Sequence, residues 1–382
     1  MSNKIRIPFN KPFIAGKELF YIAQAVMENH HTAGDGPFTK KCQTWLEERL
    51  GCRKVLLTHS CTAALEMSAI LSDIRPGDEI IMPSYTFVST ASAFALRGGV
   101  PVFIDIRPDT LNINENLIEA AITPRTRAIL PVHYAGVSCE MDIIMDIARR
   151  HKLFVVEDAA QGIMSTYKGR QLGSIGHFGA CSFHETKNII SGEGGALLVN
   201  DENFIERAEI IREKGTDRSR FFRGQKKYTW VDIGSSYLPS DIIAAFLYAQ
   251  MENADQIIAK RNLIYALYME GLRPLAEKGY IQLPFTLNDC CSNGHIYYII
   301  TRSLKERMEL AQFLLEQGIL ALFHYVPLHS SPAGKLYGRT NGTLEVTNRI
   351  SDCLLRLPLY HEMRDEDVLS VTGNIGKFYQ CL

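Results

Sequence analysis

The sequence predicts an α/β protein with a large, mostly parallel sheet domain and a smaller α+β domain at the C-terminal end. Two observations carry this prediction. Short runs of Val, Ile, Leu and Phe recur through the first half of the chain, and segments of helical periodicity separate them. Continuous apolar runs are typical of strands covered on both faces. Strands that alternate with helices form parallel βαβ units.

The elements of the large domain follow in order. Two helices are expected first, at residues 16–28 and 37–50, with Pro37 suited to the first turn of the second. Buried strands are expected at residues 53–58, 79–82, 100–105, 127–132, 153–157, 178–181 and 196–199. A first helix between them is expected to open within residues 59–65 and to continue to about residue 73, and a second to begin just after residue 87. Further helices are expected at residues 115–122, 141–151 and 202–213.

Residues 215–224 are polar and carry Arg218, Arg220 and Arg223, preceded by Lys214. This composition predicts a loop. Either it is a solvated charged loop, or it binds an anion above the active site.

A long helical region, residues 241–278, leads from the large domain to the small one. In the small domain, strands are expected at residues 296–302 and 319–325, and helices at residues 305–317, 344–355 and 364–380. We therefore predict a large domain over residues 1–250 and a small domain over residues 251–382.

The composition narrows the classes of function. The 382 residues include 41 basic and 42 acidic side chains, so the net charge of −1 gives no reason to expect a nucleic acid or a membrane as partner. The nine cysteines include no C-x-x-C pair, which indicates reduced thiols in a cytoplasmic protein without a metal site. The N-terminus lacks an apolar signal segment, and no run reaches the roughly 20 apolar residues of a membrane span.

Candidate ligand-binding residues lie where predicted strands end, because ligands of parallel α/β sheets bind beyond the carboxyl ends of the strands. Cys61 and Thr62 begin a helix, whose free amides and hydroxyl could hold a phosphate. The same position also suits a plain helix cap. Tyr85 and Phe87 could stack on a flat ring, or they could belong to the core.

Two charged residues at strand ends complete the set. Asp158 ends a buried strand, where a carboxylate needs a cationic partner or several donors. A protonated ring nitrogen of a ligand would serve, with the Gln161 amide nearby, but Asp158 could also cap the next helix. Lys187 could be a buried amine that forms an imine with a carbonyl. Alternatively it is a loop lysine that pairs with Glu185 or Glu193.

Together these residues match the requirements of one cofactor. Pyridoxal 5'-phosphate needs an anion site, a ring clamp, an acid at its pyridinium nitrogen and a lysine that forms a Schiff base. The sequence therefore predicts pyridoxal 5'-phosphate. A nicotinamide dehydrogenase would need G-x-G-x-x-G after the first strand, where this chain reads His59-Ser60-Cys61-Thr62.

Several longer stretches resemble a single family, and they span almost the whole chain. They are residues 61–65, 83–90, 131–136, 156–161, 182–188, 192–195 and 325–329. On these stretches the chain resembles the DegT/StrS family of sugar-nucleotide aminotransferases. The resemblance implies the fold-type-I architecture of PLP-dependent transferases, which is aspartate aminotransferase-like, and a homodimer with shared active sites.

The resemblance also implies roles for the charged residues. Lys187 would form the Schiff base with pyridoxal 5'-phosphate and carry the proton, and Asp158 would pair with the pyridinium nitrogen. Gln161 would lie near the ring hydroxyl. Relatives that remove a sugar hydroxyl by dehydration have histidine at the position of Lys187, so the lysine implies amino transfer.

The remaining cofactor contacts follow from the same resemblance. Ser182 and the amides of Cys61 and Thr62 would hold the phosphate, while Phe87 would stack on the ring. The chain departs from the family pattern at Ser236, where many members have an asparagine that reaches the phosphate of the partner subunit's cofactor. Serine is shorter, so this contact stays open.

Residues 183–188 and 228–238 most resemble one subgroup. Its members transfer an amino group from L-glutamate to C4 of dTDP-4-dehydro-6-deoxy-D-glucose, giving dTDP-4-amino-4,6-dideoxy-D-galactose for enterobacterial common antigen. Tyr85, His184 and His329 are the residues that we suggest for sugar contacts. The alternatives are an enzyme that makes the C4 epimer or a 3-amino sugar nucleotide, and a non-catalytic regulator that binds the cofactor.

Overall fold

The computed structural model describes residues 5–221 and 227–381. Its strands are β1 (Lys54–Thr58), β2 (Glu79–Pro83), β3 (Val100–Ile104), β4 (Thr126–Ile129), β5 (Phe154–Asp158), β6 (Thr166–Tyr167), β7 (Arg170–Gln171), β8 (Phe178–Ser182), β9 (Gly195–Val199), β10 (Cys290–Cys291), β11 (Tyr297–Ile300), β12 (Arg339–Thr340) and β13 (Leu354–Leu357).

Fourteen α-helices accompany these strands within the described residues. They are α1 (Glu18–Ala23), α2 (Pro37–Leu50), α3 (Cys61–Leu71), α4 (Val88–Ala95), α5 (Ile118–Ala121), α6 (Met141–His151), α7 (Ile205–Arg212), α8 (Arg218–Phe221), α9 (Asp241–Met251), α10 (Ala254–Glu277), α11 (Leu304–Glu316), α12 (Pro332–Tyr337), α13 (Glu345–Cys353) and α14 (Asp365–Gln380). A π-helical turn extends α1 over Gln24–Glu28. No helix in residues 5–221 or 227–381 is both long and apolar enough to cross a membrane.

An eight-stranded sheet in the order β1-β9-β8-β5-β4-β2-β3-β12 forms the centre of the large domain. Its neighbouring strands run parallel from β8 through to β12. The exception is β9, which is antiparallel to both β1 and β8. The predicted α/β architecture with a mostly parallel sheet is confirmed. The segment between β8 and β9 contains no helix, so the chain turns back directly and β9 pairs antiparallel with β8.

Both faces of this sheet are covered, as the continuous apolar runs predicted. The neighbouring residues Val155 and Val156 of β5 are both fully buried, and they belong to different core clusters on opposite faces. Ile144 of α6 packs with Val155, while Leu65 of α3 packs in the cluster of Val156. Because successive side chains of a strand point to opposite faces, β5 contributes to the apolar cores on both sides of the sheet.

The C-terminal part of the chain has its own core around the antiparallel pair β11–β13. Helices α10, α11 and α14 supply apolar side chains to it. Two segments connect this core with the rest of the chain. Ile7, near the N-terminus, is buried in it, and β12 crosses to pair with β3 of the large sheet. The division at residues 250 and 251 stays a prediction.

Three element predictions need correction. Residues 319–325 form no strand: Ile319 and Leu322 make only isolated bridges, and Tyr325 has a left-handed φ of 32° that breaks extended geometry. The predicted loop 215–224 contains α8, while Arg223 lies outside the described residues. The helical region 241–278 is two helices, because Asn253 leaves the helical conformation.

Candidate active site

A cavity of about 760 Å³ opens at the carboxyl ends of the parallel strands. It lies between the large sheet and the C-terminal part of the chain that packs around β11 and β13, which we call the C-terminal unit. The structure brings together most of the residues singled out from the sequence. The cavity is lined by Cys61, Thr62, Phe87, Asp158, Gln161, Ser182, His184 and Lys187, among others. These residues end or follow β1, β2, β5 and β8, whose carboxyl ends share one edge of the sheet.

The first turn of α3 presents backbone donors to the cavity. Ser60 caps the helix, because its hydroxyl accepts a hydrogen bond from the amide of Ala63 at 3.1 Å. The amides of Cys61 and Thr62 come earlier, where a helix offers no internal acceptor. Gly195 lies directly behind them: a Cβ there would stand 2.4 Å from the Cys61 nitrogen. Capping and anion binding are therefore compatible at this helix, since they use different amides.

Asp158 is a buried carboxylate, only 5% exposed, and it forms no ion pair within the described residues, although its charge acts on the nearby amine of Lys187. Its Oδ2 accepts from the hydroxyl of Thr90 at 2.7 Å, and its Oδ1 accepts from the amide of Ala160 at 3.1 Å. A carboxylate offers about four acceptor positions. Asp158 therefore has capacity left for a donor from the cavity, and a cationic N–H group would best offset its burial.

The side-chain amide of Gln161 is held at both ends. Its Oε1 accepts from the amide of Ala135 at 2.7 Å, and its Nε2 donates to the hydroxyl of Tyr325 at 2.9 Å. The Tyr325 ring also stacks on His324, with 3.6 Å between the ring centroids. Because Tyr325 accepts from Gln161, its own hydroxyl hydrogen is left to donate to another group at the cavity wall.

Lys187 lies in the segment that connects β8 with β9. Backbone bonds from Phe183 to Gly194 and from Glu185 to Gly192, each 2.9 Å long, close the base of this segment. Burial lowers the pKa of Lys187, although the neighbouring Asp158 opposes the shift. In the described structure its amine forms no ion pair with Glu185 or with Glu193, which instead lies 3.7 Å from His184, so neither pairing of the alternative interpretation is seen.

The C-terminal unit contributes an arginine that the sequence analysis missed. The Nε and Nη2 atoms of Arg356 donate to the carbonyl of Phe323 at 3.3 and 2.9 Å, and its guanidinium lies 4.6 Å from the centre of the Phe9 ring. No carboxylate of the described residues pairs with it, and burial lowers its pKa. A signal was present in the sequence: Arg356 is the one charged residue in the apolar run 353–360.

Arg261 also lines the cavity but has another role. Its guanidinium donates to the backbone carbonyls of Gly294, His295 and Leu359, at 3.1, 2.5 and 3.4 Å. Burial lowers the pKa of Arg261 to about 9. Through these bonds, Arg261 ties α10 to two backbone segments of the C-terminal unit.

Three residues suggested from the sequence lie elsewhere. Tyr85 is 1% exposed beneath the cavity, where its hydroxyl donates to the carbonyl of His324 at 3.3 Å. His329 is held against the end of β2, with its Nδ1 2.7 Å from the hydroxyl of Ser84. Neither of the two lines the cavity, because each is engaged in packing the C-terminal unit onto the sheet. Ser236 is exposed at the surface.

The donor set of the cavity fits pyridoxal 5'-phosphate. One side offers helix amides and the hydroxyl of Ser182 for a phosphate, and the other offers the carboxylate of Asp158 for a ring N–H. Phe87 is 57% exposed and can cover a ring face. The amine of Lys187 has no hydrogen-bond partner in the described residues and suits a carbonyl.

Comparison with known proteins agrees with this fit. The family model described as the DegT/DnrJ/EryC1/StrS aminotransferase family matches residues 14–376. The chain is 32% identical to the spore coat polysaccharide biosynthesis protein SpsC of Bacillus subtilis, over 95% of this chain and 94% of SpsC. It is 31% identical to GDP-perosamine synthase of Caulobacter vibrioides, over 87% of this chain and 88% of that one.

A solved structure shows the same architecture. The PLP form of the putative sugar aminotransferase Spr1654 from Streptococcus pneumoniae superposes with a TM-score of 0.90 at 26% identity, covering 98% of this chain and 99% of that one. The fold is therefore the fold-type-I architecture that the sequence analysis expected. By the match over almost its whole length, the chain belongs to the DegT/DnrJ/EryC1/StrS aminotransferase family.

Proposed function

We propose that this protein is a sugar-nucleotide aminotransferase that uses pyridoxal 5'-phosphate. The observation that carries the proposal is the pair formed by Lys187 and Asp158. The lysine is half-buried and its amine has no hydrogen-bond partner, and the aspartate is a buried carboxylate without an ion pair, both within the described residues and in one cavity. A cofactor with an aldehyde and a basic ring nitrogen engages both.

Each residue of the site has a separate role in the proposed reaction. Bound pyridoxal phosphate supplies an electron sink for the carbanion at the donor's Cα. Asp158 accepts the ring N–H, while Ser182 and the amides of Cys61 and Thr62 hold the phosphate. Lys187 removes the proton from Cα of the donor, and in the second half of the reaction it delivers a proton to C4 of the keto sugar.

Arg356 is our candidate for binding a carboxylate of the amino donor. Its guanidinium faces the cavity with no acidic partner in the described structure, and Phe9 and Phe323 hold its position. Arginine binds carboxylates through paired N–H donors. L-Glutamate would occupy this place first and leave as 2-oxoglutarate. The keto sugar would follow.

For the acceptor we propose dTDP-4-dehydro-6-deoxy-D-glucose, giving dTDP-4-amino-4,6-dideoxy-D-galactose for enterobacterial common antigen or a related polysaccharide. The support is the likeness of residues 183–188 and 228–238 to that subgroup, together with relatives named for perosamine and spore-coat polysaccharide synthesis. His184, at the cavity rim, is the candidate sugar contact that the geometry favours. The C4 epimer and a 3-amino sugar nucleotide are the competing products.

We also propose a homodimer in which residues 228–238, the segment of Ser236, reach the partner's active site. Apolar side chains near this segment support it, because Trp230 is 76% exposed and Tyr228, Val231 and Ile233 are exposed as well. A second copy of the chain would cover them.

The deciding experiment is incubation of the protein with pyridoxal phosphate, L-glutamate and dTDP-4-dehydro-6-deoxy-D-glucose, followed by NMR of the sugar product. An axial amine at C4 supports the galacto product, and an equatorial amine contradicts it. An amine at C3 would contradict the position as well. Lys187→Ala is the control: it should form no product and lose the visible absorbance of the bound cofactor, and retention of both would refute the role of Lys187.

A further inference from the structure

A chain of hydroxyl groups runs from the end of β2 to Asp158. The hydroxyl oxygens of Thr86 and Thr90 are 2.8 Å apart, and the hydroxyl of Thr90 donates to Oδ2 of Asp158 at 2.7 Å. Each threonine has one hydroxyl hydrogen. An ionised carboxylate can only accept, so Thr90 gives its hydrogen to Asp158, and Thr86 then gives its own to Thr90. The chain therefore has one direction, toward the carboxylate.

Thr90 lies in the first turn of α4, so the carbonyls three and four residues before it belong to residues that precede the helix. Its hydroxyl bonds to Asp158 of β5, which is remote in sequence. Thr90 is fully buried, and Thr86 and Asp158 are nearly so. Water therefore competes little for these bonds.

The carboxylate is held from two sides as a result. Thr90 occupies one acceptor position on Oδ2, and the amide of Ala160 occupies one on Oδ1. Each bond uses a lone pair of the oxygen concerned. The remaining acceptor positions belong to the side of Asp158 that lines the cavity.

We propose that Thr90, supported by Thr86, is a positioning residue that keeps Asp158 an oriented hydrogen-bond acceptor for the ring N–H of the cofactor. The inference rests on the proposed use of pyridoxal phosphate and goes beyond it. It assigns a role to two threonines that line the same cavity and act through Asp158.

The test measures dissociation constants of the full-length apo-protein for two probes. One probe is pyridoxal phosphate, and the other is its 1-deaza analogue, in which a C–H replaces the ring nitrogen and cannot donate to Asp158. Thr90→Val removes the hydroxyl at nearly constant shape, Thr90→Ser retains it, and Thr86→Val removes only the first donor. Thermal unfolding of each apo-protein checks that the variant is folded.

We expect Thr90→Val to weaken pyridoxal phosphate binding about tenfold or more, because hydrogen bonds to charged groups are among the stronger ones. Its binding of the deaza analogue should change by less than about threefold, since that probe makes no bond that Thr90 supports. Thr90→Ser should bind both probes like the wild type. Thr86→Val should show the same selective loss to a smaller extent.

Equal weakening of both probes by Thr90→Val would overturn the inference, since it would reduce Thr90 to a shaping role. Unchanged binding of pyridoxal phosphate would overturn it too. Should Thr90→Val fail to fold, the selectivity of Thr86→Val decides in the same way. Failure of the proposed function would look different, because the wild type itself would then bind neither probe.

Discussion

The reactivity of Lys187 comes from its surroundings in the fold. Its sequence neighbours are compatible with an ordinary loop lysine, but the connection between β8 and β9 turns it into the cavity beside Asp158. Burial disfavours the ammonium form more than the nearby carboxylate favours it, so the pKa of Lys187 lies below its ordinary value of 10.5. A larger share of the amine is therefore neutral and nucleophilic at a given pH.

This shift predicts a pH dependence. Only the neutral amine attacks an aldehyde, so the rate constant for capture of pyridoxal phosphate by the apo-protein should rise with pH. It should level off below pH 10.5, as followed by stopped-flow absorbance. Nα-acetyl-lysine, measured in parallel, should still be rising at that point. A midpoint for the protein at or above that of the free amine would contradict the burial argument.

Arg356 offers a second prediction for a single residue. Arg356→Gln should raise KM for L-glutamate about tenfold or more and change kcat less, because a charge-assisted bond to the donor is lost before the chemical step. Steady-state kinetics with varied glutamate measure this effect. Arg307→Gln is a matched control, since Arg307 also contacts Phe323, at 5.7 Å from its ring, but lines a different cavity. Equal effects of the two changes would exclude a specific carboxylate site.

At the scale of elements, the close approach of β9 to the first turn of α3 builds the proposed phosphate site. Gly195→Ala would place a methyl group 2.4 Å from the Cys61 nitrogen, so the helix end must move. We expect a loss of about 1–3 kcal/mol in the free energy of unfolding and weaker binding of pyridoxal phosphate. Denaturant unfolding and cofactor titration measure these two quantities.

Gly376→Ala is the control for that change. Gly376 lies within α14 with open space around its Cα, so alanine there should be neutral or stabilising by about 0.5–1 kcal/mol. A Gly195→Ala protein that is as stable as wild type and binds the cofactor normally would contradict the proposed phosphate site at the start of α3.

Strand ends were the most predictable elements, and the segment after α11 was the least. β2, β5 and β8 are continuous apolar runs, so their ends could be located from composition alone. Residues 319–325 have similar composition but no continuous partner strand. The left-handed conformation of Tyr325 bends this segment, which then lines the cavity. Nothing local in the sequence marks that bend.

At the scale of the whole molecule, the exposed apolar segment around Trp230 predicts association. Trp230→Glu should shift the protein from dimer toward monomer in sedimentation velocity, because it places a charge in a desolvated interface. Activity should fall along with dimer content if the segment of Ser236 completes the partner's site. Leu369→Glu is the control, since Leu369 is exposed on α14, far from that segment in the chain. Dimers that survive Trp230→Glu would place the interface elsewhere.

The sequence by itself determined the sheet domain and the edge at which ligands bind, and it placed Asp158 and Lys187 at that edge as candidates. These follow from local pattern, because a buried parallel strand requires a continuous apolar run, and the carboxyl ends of such strands share one edge whatever their order. Only the tertiary structure decided that Arg356 and Tyr325 join the cavity, that Tyr85 and His329 do not, and that Thr86 and Thr90 support Asp158. These outcomes depend on how the C-terminal unit and α4 pack against the sheet, and such contacts between remote residues leave no local pattern.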